Sequence, residues 1–305
     1  MTSAPINLTT LVDRYSTDEH CREALMHLRW PDGVRCLKCK SENVAPVSDR
    51  KVWICYSCKY QFSATVGTIF HDSHLPLTKW FLVTYLITES RKGISANQIK
   101  RMLGISYKTA WYLCHRIRKA MEETDHKLSG TVEIDETYIG GKRTGVGRGS
   151  KFGKTPVVGI RERGGHLHFI SAGNLNQDKI NEIIARNVDK SVDVIMTDES
   201  KLYNFETTKY RGKHKKVNHS KEEYVRYEGG LCVTTNAIES AFSLFKRGVV
   251  GTWHKVSVKH LRAYLQEMTW RFNNRKNQYL FRDTLIRLLQ SDSLEYKDLT
   301  AAKVA

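Results

Sequence analysis

The sequence predicts an α/β chain in which a small cysteine-built module and a helical segment precede a larger domain of strands and helices. Three observations predict it. Four of the seven cysteines form two C-x2-C pairs, Cys36 with Cys39 and Cys55 with Cys58. A helix-turn-helix pattern follows from Ser95, and from Thr131 the hydrophobic period shifts toward that of strands, broken by one helical run.

A chain of 305 residues has room for two or three domains and at least one sizeable core, and 40% apolar residues exclude a fully disordered chain. Lys and Arg number 49 against 32 Asp and Glu, a net charge of +17, which draws polyanions and points to nucleic acid ahead of an anionic membrane. The apolar run "WFLVTYLIT" is far short of a membrane span, and "MTSAPINLTT" has neither the charged nor the apolar region of a signal peptide. The reading is therefore a cytoplasmic, nucleoid-associated protein with no membrane partner. An odd cysteine count, with Cys21, Cys114 and Cys232 scattered, argues against a disulfide framework.

Residues 1–70 form the first expected domain. "DEHCREALMHLRW" has helical spacing, with Cys21, Leu25 and Leu28 on one face. The two cysteine pairs, fifteen residues apart, suit one tetrahedral structural zinc ion held by four thiolates from two turns. A module this small has almost no apolar core, so the metal would supply its folding energy. Basic and aromatic residues beside it, such as Arg35, Lys38, Lys51 and Tyr56, fit either a nucleic-acid contact or an ordinary solvated surface.

Residues 71–126 form a helical region. A run from Leu77 to Ser90 stops before Gly93; "SANQIKRMLG" and "SYKTAWYLCHRIRKAMEE" then read as a short helix, a turn at Gly104, an N-cap at Ser106 and a longer helix. Ile99, Leu103 and Ile105 would set the angle between them. On a DNA-facing second helix, Lys108, Trp111, Arg116 and Lys119 are the expected contacts. The alternative is a helical hairpin packed only on its neighbours.

Residues 127–292 form the largest domain and 293–305 a polar tail. "TVEID", "TPVVGIRE" and "HLHFISAG" read as strands, "QDKINEIIARNV" as a helix and "DVIMTD" as another strand, with helices again from Asn236 and a last one near 281–290. The loop "GGKRTGVGRGSKFGK" sets Lys142, Arg143, Arg148 and Lys151 among glycines; it lacks the close of a Walker loop and reads as a DNA contact. The basic stretch "KYRGKHKKVNHSK" reads the same way, with His219 taken as structural.

Asp135 ends the first strand of this domain, Asp198 ends "DVIMTD", and Glu239 lies on the helix "TTNAIESAFSLFKRG". Taken singly, they read as a salt-bridged strand end, a turn cap and a solvent-facing helix residue. Together they form a set of hard oxygen donors, because charges at the inner ends of apolar strands are costly unless paired. Such a set favours magnesium or manganese, and two ions can hold both the attacking and the leaving oxygen of a phosphodiester. Lys246 lies two turns beyond Glu239 on the same helix face, within reach of a phosphate.

The motifs "CLKCK…CYSC", "LGISYKTAWYLCHRIRKAM", "VEIDETYIGGK", "VIMTDES" and "TTNAIESAFSLFKRGVVGTWHKVSVKHLRAYLQEMTWRFNNR" span roughly residues 20 to 280. Through them the chain resembles DDE-type insertion-sequence transposases with an N-terminal zinc ribbon and an ISXO-like transposase domain. The resemblance implies a ribonuclease-H-like catalytic fold in which Asp135 bridges two magnesium or manganese ions and Asp198 and Glu239 each hold one. Lys246 would be the basic residue that follows the third acid. The implied activity is metal-dependent cleavage at the ends of an insertion sequence and strand transfer into target DNA, by a homodimer or higher multimer on double-stranded DNA. Glu239 is favoured as third ligand over Asn236 on the same helix face, and Cys232 departs from the family, which has His there. The other readings are a DNA-binding transcriptional regulator and a metal-dependent nuclease that does not join.

Overall fold

The computed structural model describes residues 5–47, 50–122, 126–140, 153–218 and 224–301. In chain order the first elements are α1 (Leu8–Arg14), α2 (Asp18–Arg29), β1 (Val44–Val47), β2 (Val52–Cys55), β3 (Gln61–Phe62), α3 (Leu77–Glu89), α4 (Ala96–Leu103) and α5 (Tyr107–Ala120). The middle of the chain forms β4 (Thr131–Ile139), β5 (Thr155–Glu162), β6 (Leu167–Ser171), α6 (Gln177–Asn187), β7 (Val194–Asp198), β8 (His214–Val217), β9 (Arg226–Glu228) and β10 (Leu231–Val233). Then come α7 (Asn236–Gly248), a π-helical turn at Val249–Trp253, α8 (Leu261–Asn273), α9 (Leu280–Gln290) and α10 (Tyr296–Thr300).

The chain divides into two compact units. One comprises residues 1–121 with 276–305, and the other residues 122–275. In the first, α9 packs on α2, α3 and α5, and Phe281 meets the rings of Phe81 and Tyr85 at 5.8 and 6.0 Å. The sheet-bearing unit therefore ends at Arg275, short of the boundary at 292 read from the sequence. The apolar face of α9 is buried within the helical unit, an association between distant parts of the chain that periodicity cannot register. Nor is 293–305 all tail: α10 lies within it, and the Tyr112 hydroxyl donates to the Leu294 carbonyl.

The second unit is built on a five-stranded sheet in the order β6-β5-β4-β7-β8. β5 runs antiparallel to β4 and β6, while β4, β7 and β8 are parallel. That mixed order is the ribonuclease-H-like arrangement. Side chains alternate along each strand, so each face of β4 has its own core. Val132 and Ile134 pack with Ile180, Ile183 and Ile184 of α6. The opposite face of the sheet receives α7 and α8 through Val157, Phe169, Ile238, Phe242, Phe245 and Leu265. Gly159 stands beside Asp135 in the register, and a Cβ there would lie 2.7 Å from Ile238 Cδ1 and Phe242 Cζ. A bare backbone at this point is what lets α7 approach the sheet. The outer strand β6 is held by α8: Asn273 accepts from the Leu167 N–H at 2.8 Å and donates to its carbonyl at 3.1 Å.

β4 runs four residues beyond "TVEID", whereas β5 begins and ends as expected. β8 and the β9–β10 hairpin have no counterpart in the sequence reading.

Candidate active site

β4 and β7 lie side by side and parallel, with Glu133 opposite Met196. Two residues further along each strand stand Asp135 and Asp198, at matching positions where the pair opens. Parallel α/β sheets offer their sites at this end. Ile195 and Ile134 share the α6 core, so by alternation Asp135 and Asp198 both face the α7 side.

Glu239 comes from the first turn of α7. Its Oε1 accepts the Thr235 hydroxyl at 3.0 Å. Asp135, Glu136 and Glu239 line a cavity of about 570 Å³, and Lys246 and Arg247 line it from farther along the same helix. One wall thus carries acids beside cations, as the spacing of Glu239 and Lys246 predicts. Asp198 is not part of the cavity lining; its Oδ1 accepts the Ser200 N–H at 3.0 Å in the turn after β7.

Burial, followed by the charges of Glu136, Asp198 and Glu239, pushes the Asp135 carboxyl up to about 7, against the Glu136 N–H that donates to it at 2.8 Å. Asp198 and Glu239 are therefore both close enough to oppose its charge. In donor chemistry the trio fits a hard divalent cation, which would relieve that opposition. The three carboxylates do not all come within 4.8 Å of one another; among the described residues only the cysteine quartet draws together that tightly. Closing the acids further takes positive charge between them.

The quartet itself is tightly formed. Cys36 and Cys58 sulfurs are 3.6 Å apart, and those of Cys39 and Cys55 3.5 Å. A tetrahedron with metal–sulfur bonds of about 2.3 Å has edges of about 3.8 Å. The two turns repeat each other: Lys40 N–H donates to the Cys36 carbonyl and Lys59 N–H to that of Cys55, and both lysines take the left-handed conformation, at φ 63° and 58°. The module has more core than its length suggests, because Phe62, Trp30, Val34, Trp53 and Tyr60 pack around the buried Cys36 and Cys55.

Residues 127–273 match the model of the ISXO2-like transposase domain, and residues 16–61 that of the transposase zinc-ribbon domain. Together these matches take in more than half of the chain. It belongs to the ISXO2-like transposases with a zinc ribbon, and the four converged cysteines are the donor set that suits the ribbon's structural zinc ion. An uncharacterized protein in transposable element ISH50 of Halobacterium salinarum is 28% identical over 274 residues, 84% of this chain and 90% of that protein. The solved Mos1 strand transfer complex matches over 69% of this chain and 75% of its own, with 10% identity and a TM-score of 0.29.

In this transposase α4 and α5 form the expected helix pair. Ser95 and Ser106 cap them by accepting from Gln98 and Thr109 N–H groups at 3.1 and 3.0 Å, and Gly104 takes the left-handed turn at φ 61°. Lys108 and Lys119 are exposed, and Trp111 is half-buried. Arg116 does not belong with them. It is 4% exposed, donates to the His71 carbonyl and lies over the rings of Trp80 and Tyr112, so it ties α5 to its own unit. One basic residue in a basic helix looks much like another until the buried face is known. Lys142, Arg143, Arg148, Lys151 and His219 lie outside the described residues. No helix among the described residues is long and apolar enough to cross a membrane.

Three residues around the acids escaped the sequence reading. Tyr203, 1% exposed, donates its hydroxyl to Glu136 Oε2 at 2.6 Å; burial and the neighbouring acids, Glu136 first, hold the phenol well above its usual range. Glu133, itself buried, pairs behind Asp135 with the half-buried Arg163 at 2.9 Å. The period-two relation of Glu133 to Asp135 in "VEIDE" was the available signal. For Tyr203 and Arg163, the sequence alone has none.

Proposed function

We propose that this transposase binds the ends of its mobile element and performs both hydrolytic cleavage and strand transfer at one site built on Asp135, Asp198 and Glu239, with magnesium or manganese as the metal. The observation that carries the proposal is the meeting of Asp135, Glu239 and Lys246 in one cavity, with Asp198 at the matching position of the adjacent strand.

When bound, the divalent ions would supply the positive charge that lets the three carboxylates remain ionised together and would act as Lewis acids toward the phosphodiester oxygens. The protein's own groups do the rest. Asp135, on a rigid central strand, fixes the reference position of the site. Lys246 and Arg247 extend the cavity with cations that hold the DNA phosphate and orient it toward the acids. Water attacks a phosphodiester at the element's end and frees a 3′-hydroxyl; that hydroxyl then attacks a target phosphodiester, releasing a target 3′-hydroxyl as leaving group. No covalent enzyme intermediate is required. Lys108, Trp111 and Lys119 of α5 are proposed to meet the element end in the major groove, and the basic loop containing Lys142, Arg143, Arg148 and Lys151 to track the backbone. Two ends cut in concert call for at least a homodimer on DNA.

A duplex labelled at the 3′-end and carrying the repeats that flank the gene tests this, with magnesium and a target plasmid. Joined product is expected from the wild type. Asp135→Asn should retain DNA binding and lose both cutting and joining. Nicks without joining would identify a nuclease, and binding without either product a regulator.

A further inference from the structure

Glu133 is fully buried, two residues before Asp135 on the same face of β4. Both carboxylate oxygens are engaged. Oε1 accepts from Arg163 Nε at 2.9 Å, and Oε2 accepts from the backbone N–H groups of Ala237 and Ile238 at 2.8 and 3.1 Å. Those N–H groups belong to the first turn of α7, the helix that carries Glu239. Thr235, at the N-cap, makes no capping bond with its own side chain, and its hydroxyl donates to Glu239. The cap comes instead from the strand across the interface, as an anion at the positive end of a helix. Arg163 completes the attachment by donating to the Cys232 and Thr234 carbonyls, at 2.7 and 3.4 Å, in the segment leading into α7.

We propose that Glu133 is a positioning residue for the active site, setting how close Glu239 stands to Asp135. α7 hangs from the strand that bears the first acid, and the point of suspension is one residue from Glu239 in sequence. Packing of Ile238 and Phe242 on the sheet resists motion away from it. Sliding of α7 along β4 is resisted by the directional bonds to Glu133. Moving that carboxylate would shift Glu239 relative to Asp135 with the cores left intact. The role is structural support of ligand geometry, and Glu133 touches neither DNA nor metal.

The inference rests on Glu239 being a metal ligand, so the test includes Glu239→Ala. Manganese binding to the full chain, with its zinc in place, is followed by electron paramagnetic resonance without DNA, beside thermal melting. Glu133→Gln keeps the size of the side chain but cannot accept at both oxygens; it should weaken manganese binding by about 10- to 100-fold, the usual effect of losing a residue that orients a ligand. In a Glu239→Ala background the same change should add nothing. Arg163→Lys, which loses the two-pronged hold on 232–234, should weaken binding in the same direction and carries the test if Glu133→Gln fails to fold. Manganese binding at wild-type strength in either folded variant, or an equal loss with and without Glu239, would overturn the positioning role. Undiminished binding in Glu239→Ala would overturn the ligand reading, and the inference with it.

Discussion

At the scale of single residues, Asp135 is where stability and the proposed metal-binding role oppose each other. Its folded-state carboxyl titrates at about 7 against an ordinary value of 3.8. Between those values the folded chain binds more protons than the unfolded one, so this group makes stability fall as pH rises. By about pH 8 the penalty is fully in place and amounts to roughly 4 kcal/mol, from ~1.4 kcal/mol per unit. Asp135→Asn, without magnesium but with zinc retained, should therefore be the more stable protein at about pH 8 and gain little at about pH 4. Denaturant melts of the sheet unit would read this as a difference between variant and wild type. The difference matters because His214, pushed down to about 4 by burial, imposes the opposite slope: it resists protonation in the fold, so its contribution is lost as pH falls from 6.5. A variant no more stable than the wild type at the higher pH would mean that Asp135 carries no such burden. The same substitution should abolish strand transfer, so the stabilised protein would be the inactive one.

Individual elements differ in how plainly their residues announce them. The two helices around Gly104 were legible because capping is local chemistry: Ser95, Gly104 and Ser106 act on neighbours three or four residues away. The cysteine spacing was legible for the same reason. β8 was not, since "HKKV" on an outer strand keeps two lysines where an inner strand would be apolar, a common defence of exposed sheet edges. Asp135, Asp198, Glu239 and Lys246 could be selected from strand ends, helix spacing and family resemblance. For Glu133 the period-two relation to Asp135 places it on the same face but not in its role, because its partners at 163, 237 and 238 meet it only through the strand register and the docking of α7. For the ribbon, the four convergent sulfurs mean that metal and fold are linked. Chelation should remove about one zinc per chain and, with it, the protection of the 30–62 backbone against hydrogen exchange, while protection of β4, β5 and β7 persists. Cys39→Ser should purify without stoichiometric zinc. Full protection of 30–62 after zinc loss would show that Phe62 and its neighbours suffice to hold the ribbon.

Across the whole molecule, the sheet-bearing unit is inserted between two stretches that make up the other unit. Residues 1–121 need α9 to complete their core, where Phe281 is 4% exposed among aromatic side chains. Phe281→Ala should cost ~3–5 kcal/mol of that unit's stability, the usual range for a buried ring. A fragment ending at residue 121 should melt without cooperativity and bind a hydrophobic dye, whereas joining 276–305 to it through a Gly/Ser linker should restore a sharp transition. If the short fragment melts as sharply as the joined one, α9 is an accessory and the unit is complete without it.

This continuity imposes an order on synthesis. A ribosome delivers the ribbon and the α4–α5 pair early, yet the core beneath them remains open until α9 emerges, after the entire five-stranded sheet has been translated. A message cut short within the sheet would yield chains whose helical unit lacks its last layer, and such chains would be candidates for degradation.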